Sequence, residues 1–197
     1  MDTELMLDVG QANEIKLAAR RAGATNADLK KLSEGDVFAK ILRVLRGRAE
    51  VVIKSILTFL RTVRVASHPG ITASEEYFQE AGVKVMGDNF KAQFLGLKVP
   101  AADGAELAVH RLEEASLDAP IRAELGEKTE ISVSQFQAFL AANRESPEWF
   151  IFYLNKDGKP WAVGAYWLVG RGGWFVGALS VADPGGRSLG RQVVSQV

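Results

Sequence analysis

The chain has 197 residues, 47% of them hydrophobic, with 24 Lys plus Arg balanced by 24 Asp plus Glu, enough apolar material for a core in one large or two small domains. A zero formal charge gives no global reason to expect nucleic acid or an anionic membrane as partner, and the absence of Cys excludes disulfides, thiol nucleophiles and thiolate-bound zinc. Only two histidines are present, His68 and His110, with no carboxylate at ligand spacing, so neither a metal nor a cofactor is expected.

Residues 1–10 carry three acids and no base, the opposite of a signal-peptide n-region, which leads us to expect a cytoplasmic protein. The most apolar windows, 49–60 and 161–181, are interrupted by Lys54 and by Arg171 with its neighbouring glycines, so no membrane span is expected. In 11–22, Ala12, Ile15, Ala18, Ala19 and Ala22 share one helix face and Gly23 offers a stop. Thr25 stands three residues before Asp28, a near capping box for a short helix over 26–33. Asp36 can cap a third helix whose Val37, Ile41, Val44 and Leu45 face inward and whose Lys40, Arg43 and Arg46 face outward. Val52, Ile53, Ile56, Leu57, Leu60 and Val63 predict a fourth helix over 49–65, although the run from Val51 to Ile53 also suits a strand.

Up to Val65 the chain holds 12 basic and 8 acidic residues, and beyond it 12 and 16. The Ser67-His68-Pro69-Gly70 stretch punctuates the chain where charge and period both change, and there we place a boundary between a helical domain, 1–66, and an α+β domain, 71–197. Thr72-Ala73-Ser74-Glu75 reads as a capping box before a helix ended by Gly82. Residues 83–112 are read as strands, chiefly 94–99 and 107–112. Pro120 at a first helical position and Gly126 frame a short helix, and Ser132 or Ser134 caps another containing Val133, Phe136, Phe139 and Leu140. The runs 149–154, 161–169 and 174–181, separated by Asp157-Gly158 and by Gly170 to Gly173, predict a three-stranded antiparallel meander. The expected fold is therefore α+β, an N-terminal helical bundle followed by an α+β domain ending in that meander.

Three constellations can carry function. With Gly23 as its turn, 15–34 has helix-turn-helix spacing, and Thr25, Asn26, Lys30 and Lys31 on the second helix would face a major groove while Arg43, Arg46 and Arg48 meet phosphates. The bland reading is a helical hairpin with solvated cations. Second, Trp161, Trp167, Trp174 and Tyr166 could form an aromatic ligand platform. Core is the preferred reading of these residues, packed by Phe136, Phe139 and Leu140. Third, Glu75-Glu76, Glu113-Glu114 and Glu127 with Glu130 could act as acid–base pairs, although solvated helix ends explain them better.

Val181-Ala-Asp-Pro-Gly-Gly-Arg-Ser-Leu-Gly190 resembles the pyrophosphate loop of GCN5-related N-acetyltransferases. That resemblance implies an acyl-CoA site at a helix N-terminus, but Gln192 stands where the loop's last glycine belongs, and Glu148 or Tyr166 would be the only bases on offer. A broader resemblance, over about two thirds of the chain, is to a recurring family of uncharacterised proteins of candidate-phylum bacteria. It rests on LDVGQANEIKLAARRAG, LSEGDVFAKILRVLRGRAEV, IRAEL, SVSQFQAFLAAN and PEWFIFYLNKDG. It implies a bacterial source and an order of elements, and no activity. The sequence thus points to a non-enzymatic binding protein with DNA or protein as partner, and acyl transfer is the alternative.

Overall fold

The computed structural model of the protein describes residues 8–49, 55–182 and 186–197. The chain divides into two units between Lys54 and Ser55, and the protein is α+β.

The first unit carries helices α1 (Val9–Arg21), α2 (Asn26–Leu32) and α3 (Val37–Leu45). Their starts follow local chemistry. Asp8 and Gln11 form a reciprocal capping box on α1, and Thr25 and Asp28 form one on α2. Gly23, at φ 75°, takes the left-handed position after α1. Asp36 stands at the N-cap of α3 but makes no side-chain capping bond. The expected packed bundle is not what these helices make: none of their residues is buried, and Phe38 and Leu45 are 55% and 75% exposed. One reason lies in α1, where the apolar face is largely alanine, which removes little area from water.

The expected fourth helix is also corrected. Residues 50–54 lie outside the described residues, but 57–65 form a strand, β1 (Leu57–Val65), which pairs antiparallel with β5 (Ala105–Leu112). Thr58, Thr62, Val63 and Val65 are β-branched, and the partner strand decides for them. The second unit therefore begins at Ser55. Nor is the Pro69-Gly70 stretch a linker, since His68 and Ala102 exchange two backbone hydrogen bonds and β2 (Ile71–Thr72) pairs with β4 (Lys98–Val99).

Along the rest of the chain come α4 (Glu75–Glu80), β3 (Val83–Met86), α5 (Asp88–Phe94), α6 (Asp118–Leu125), β6 (Glu130–Ile131), α7 (Val133–Ala142), β7 (Trp149–Lys156), β8 (Lys159–Leu168), β9 (Gly173–Ser180) and β10 (Gln192–Gln196). Ser74, not Thr72, caps α4 by accepting from the Tyr77 N–H. Ser132 caps α7 with Gln135 closing the box. Residues 88–94, read as part of a strand region, are helical, and Pro120 falls in the third position of α6.

The main sheet runs β1-β5-β10-β7-β8-β9-β3, with β6 beside β7. Strands β7, β8 and β9 are antiparallel neighbours, and Asp157 and Gly158, both at positive φ, make the first turn. The sheet as a whole is mixed, because β10 lies parallel to β7 and β3 parallel to β9. It does not end in the meander, as the sequence suggested: β10 follows β9 in the chain and enters the middle of the sheet, antiparallel to β5.

The two faces of this sheet differ. On one, α4, α5 and α7 bury Phe78, Phe90, Phe94, Phe136 and Phe139 against Phe150, Phe152, Val163, Val176 and Val194. Trp174 belongs to this core, its indole N–H donating to the Leu140 carbonyl, and Trp161 and Trp167 pack at its margin. The core reading of the three tryptophans therefore holds. On the other face, Ile121 of α6 covers Leu57, Leu112, Ile151 and Val193. That single helix covers the β1-β5-β10-β7 side and leaves part of β8 and β9 open.

Because β10 joins both halves of the sheet, a charge within it should be intolerable. Val194→Asp is expected to abolish the cooperative thermal transition, whereas Val197→Asp, at an exposed position beyond the strand, should move Tm by no more than about 2 °C.

Candidate functional site

Along the open part of the sheet, strand register sets the residues in rows. In the first row Arg191, just before β10, comes beside Trp149, which faces Tyr166, which faces Phe175. These groups stack. The Arg191 guanidinium lies 4.9 Å from the Trp149 ring centre, the Trp149 and Tyr166 rings are 4.1 Å apart and within 5° of parallel, and Tyr166 and Phe175 are 4.9 Å apart at 27°. Cross-strand aromatic pairs contribute about 0.2–1 kcal/mol each and a cation over an exposed ring about 0.5–1.

The next row has almost no side chains. Ile151 faces Gly164, which faces Gly177. A Cβ built on Gly164 would meet nothing within 4 Å, whereas at Gly177 it would press on the Phe175 ring at 3.0 Å. Beyond them, Ala162 and Leu179 form the far side. The result is a trough of about 260 Å³ with a glycine floor and an aromatic wall, lined also by Arg187 and Arg191.

The two arginines differ in what holds them. Arg187 donates twice to Asp118, Nε to Oδ1 at 2.7 Å and Nη2 to Oδ2 at 2.6 Å, and Tyr153 adds its hydroxyl to Oδ1 at 2.8 Å. Asp118 and Arg187 are only 3% and 7% exposed. Burial opposes charge on Arg187, but the hydrogen bonds and charge of Asp118 hold its guanidinium above the ordinary value. Burial, with the Asp118 carboxylate beside it, pushes the Tyr153 phenol far up. Arg191 has no such partner: among the described residues no carboxylate pairs with it. Burial and then the charge of Arg187 lower its pKa, although a guanidinium stays protonated at any physiological pH.

Compared with known proteins, the chain matches no family model, no curated protein and no solved structure. The reading of the site therefore rests on its own chemistry.

The sequence-predicted residues lie elsewhere. Thr25, Asn26, Lys30, Lys31, Arg43 and Arg46 are all exposed in the first unit. Thr25 is committed to its helix: its hydroxyl accepts from the Asp28 N–H and donates to the Asp28 carboxylate at 2.6 Å. Asn26 opens α2, Lys30 and Lys31 occupy its last turn, Arg43 the last turn of α3, and Arg46 its C-cap. The cations complement the helix dipoles there. The leucines of α2, which a helix-turn-helix would bury, are exposed at Leu29 and half-buried at Leu32.

The pyrophosphate-loop expectation is corrected. Residues 183–185 lie outside the described residues, but the next element along the chain is strand β10, not the helix whose N–H groups such a loop requires. Arg187 is spent on Asp118, and its backbone exchanges two hydrogen bonds with Ser116. Each acidic pair has one member held by a cation. Glu75 meets Lys91, Glu113 meets Arg111, and Glu130 holds Arg122 and Asn155. His110 bonds to Ser195 and burial lowers its pKa. Among the described residues no group of three or more potential ligands could hold a metal, and no helix is long and apolar enough to cross a membrane.

Sequence reasoning placed Tyr166 with the tryptophans and missed Trp149, Gly164, Phe175 and Arg191. For Tyr166 a signal was there: in a strand, even and odd positions point to opposite faces, so Tyr166 cannot share a face with Trp161 and Trp167.

The buried pair yields a stability test. Asp118→Ala leaves Arg187 buried without its anion and should cost about 3–5 kcal/mol, read as a lowered urea midpoint. Tyr153→Phe, which keeps the ion pair, should cost clearly less.

Proposed function

We propose that the protein is a non-enzymatic binding protein and that the trough on β7, β8 and β9 takes a flat apolar ring. The observation that carries this reading is the empty space over Gly164, beside a wall of stacked rings. Sheets normally fill such a position with a side chain, and glycine within a strand marks a place where something else approaches closely. Among the described residues the lining holds no carboxylate and no histidine, which supports recognition rather than turnover.

The trough can be blocked without touching the core. Gly164→Leu adds a side chain where a Cβ meets nothing, so the fold should tolerate it. Titrating indole, a neutral flat ring, into the labelled protein should shift the amide resonances of Gly164, Tyr166 and Gly177. The expected Kd is about 1 mM, near what so few ring atoms can supply. In Gly164→Leu those shifts should vanish with Tm unchanged. Shifts that persist in the blocked protein, or none at several millimolar indole, would remove the reading.

A second reading concerns the first unit. Lys30, Lys31, Arg43 and Arg46 are exposed, and no described residue holds any of them in an ion pair. These cations, with Thr25 and Asn26 nearby on α2, support contact with DNA through phosphates. If that contact exists, duplex DNA should bind with an affinity that falls steeply with salt, and replacing the four cations by Gln should flatten that dependence. Affinity that is unchanged in the quadruple variant removes this reading.

A further inference from the structure

The trough carries a charge imbalance that its rings do not explain. Its only charged lining groups among the described residues are Arg187 and Arg191. Asp118 neutralises the first through two short hydrogen bonds. The second lies over Trp149 and, among the described residues, is paired with no carboxylate. A guanidinium held beside a ring keeps N–H donors available for a further partner. Arg191 therefore brings one net positive charge to the lining of the trough, beside rings that lower the local polarity.

We infer that the occupant of the trough is a small aromatic carboxylate, its ring lying over Gly164 against the aromatic wall and its anion meeting Arg191. This rests on the reading of the trough as a binding site and adds the sign and number of the ligand's charges. A single planar guanidinium matches a single carboxylate in shape and charge. A phosphate, carrying up to two charges, would leave part of its charge unmatched here, because Arg187 is already satisfied. The volume of about 260 Å³ suits a one- or two-ring acid rather than a longer chain.

Three probes of nearly one shape separate the claims: indole-3-acetate, indole and tryptamine, which are anionic, neutral and cationic at neutral pH. The amide titration should rank them in that order, with indole-3-acetate about ten-fold tighter than indole. Arg191→Gln should reduce that preference to less than about two-fold while indole itself binds as before, and Arg191→Lys, which keeps the charge, should restore part of it. Raising the salt concentration should narrow the preference in the unaltered protein. If indole binds and indole-3-acetate binds no better, or if the preference survives in Arg191→Gln, the pairing of a carboxylate with Arg191 is overturned and the ring-binding trough stands. If none of the three probes shifts the Gly164 amide, the trough reading fails and the inference fails with it.

Discussion

A carboxylate and a guanidinium, both almost wholly buried, hold the second unit in register. Asp118 opens α6, Arg187 lies in the connection between β9 and β10, and Tyr153 stands in β7. Through these three side chains the connection is tied to the helix on one face of the sheet and to a central strand. Burying two charges is expensive, and the hydrogen bonds from three donors to one carboxylate offset that cost. With Arg187 fixed, the chain is delivered to the start of β10 with Arg191 beside Trp149. The candidate site is thus a by-product of the pair: one arginine is consumed in holding the loop, and the next is left with a ring and, among the described residues, no anion.

The aromatic wall and the glycine floor follow from strand alternation acting on a composition that is uneven between faces. In β8, Trp161, Val163, Ala165 and Trp167 go to the helix-packed side, and Ala162, Gly164 and Tyr166 to the other. Small residues in one parity of a strand would normally lie beneath a covering helix. Here α6 stops short, so the same small residues open a depression instead of closing a layer.

What was legible in the sequence is local. Thr25 with Asp28 and Ser132 with Gln135 mark helix starts because their side chains bond backbone within three residues. Asp157-Gly158 marks a hairpin because that turn needs positive φ. What was not legible depends on partners distant in sequence. Residues 57–65 carry enough helical periodicity to suggest a helix, and pairing with 105–112 decides otherwise. Residues 88–94 read as strand until Phe90 and Phe94 are seen to share a face in the core. The site was hidden for the same reason: Trp149, Tyr166, Phe175 and Arg191 become neighbours only through three strand pairings. No local signal announces that Arg191 and Trp149 meet.

The position of β10 also orders events in time. During synthesis, β5 and β7 exist before the strand that separates them in the finished sheet. Until residues 192–196 are available, each has an edge of unpaired amides and carbonyls that the other, or a second nascent chain, can occupy. Direct pairing of β5 with β7 would have to be undone before β10 could insert. A fold closed by such long-range pairing reaches its native state slowly, and a competing partner for those two edges has its opening in the interval before insertion.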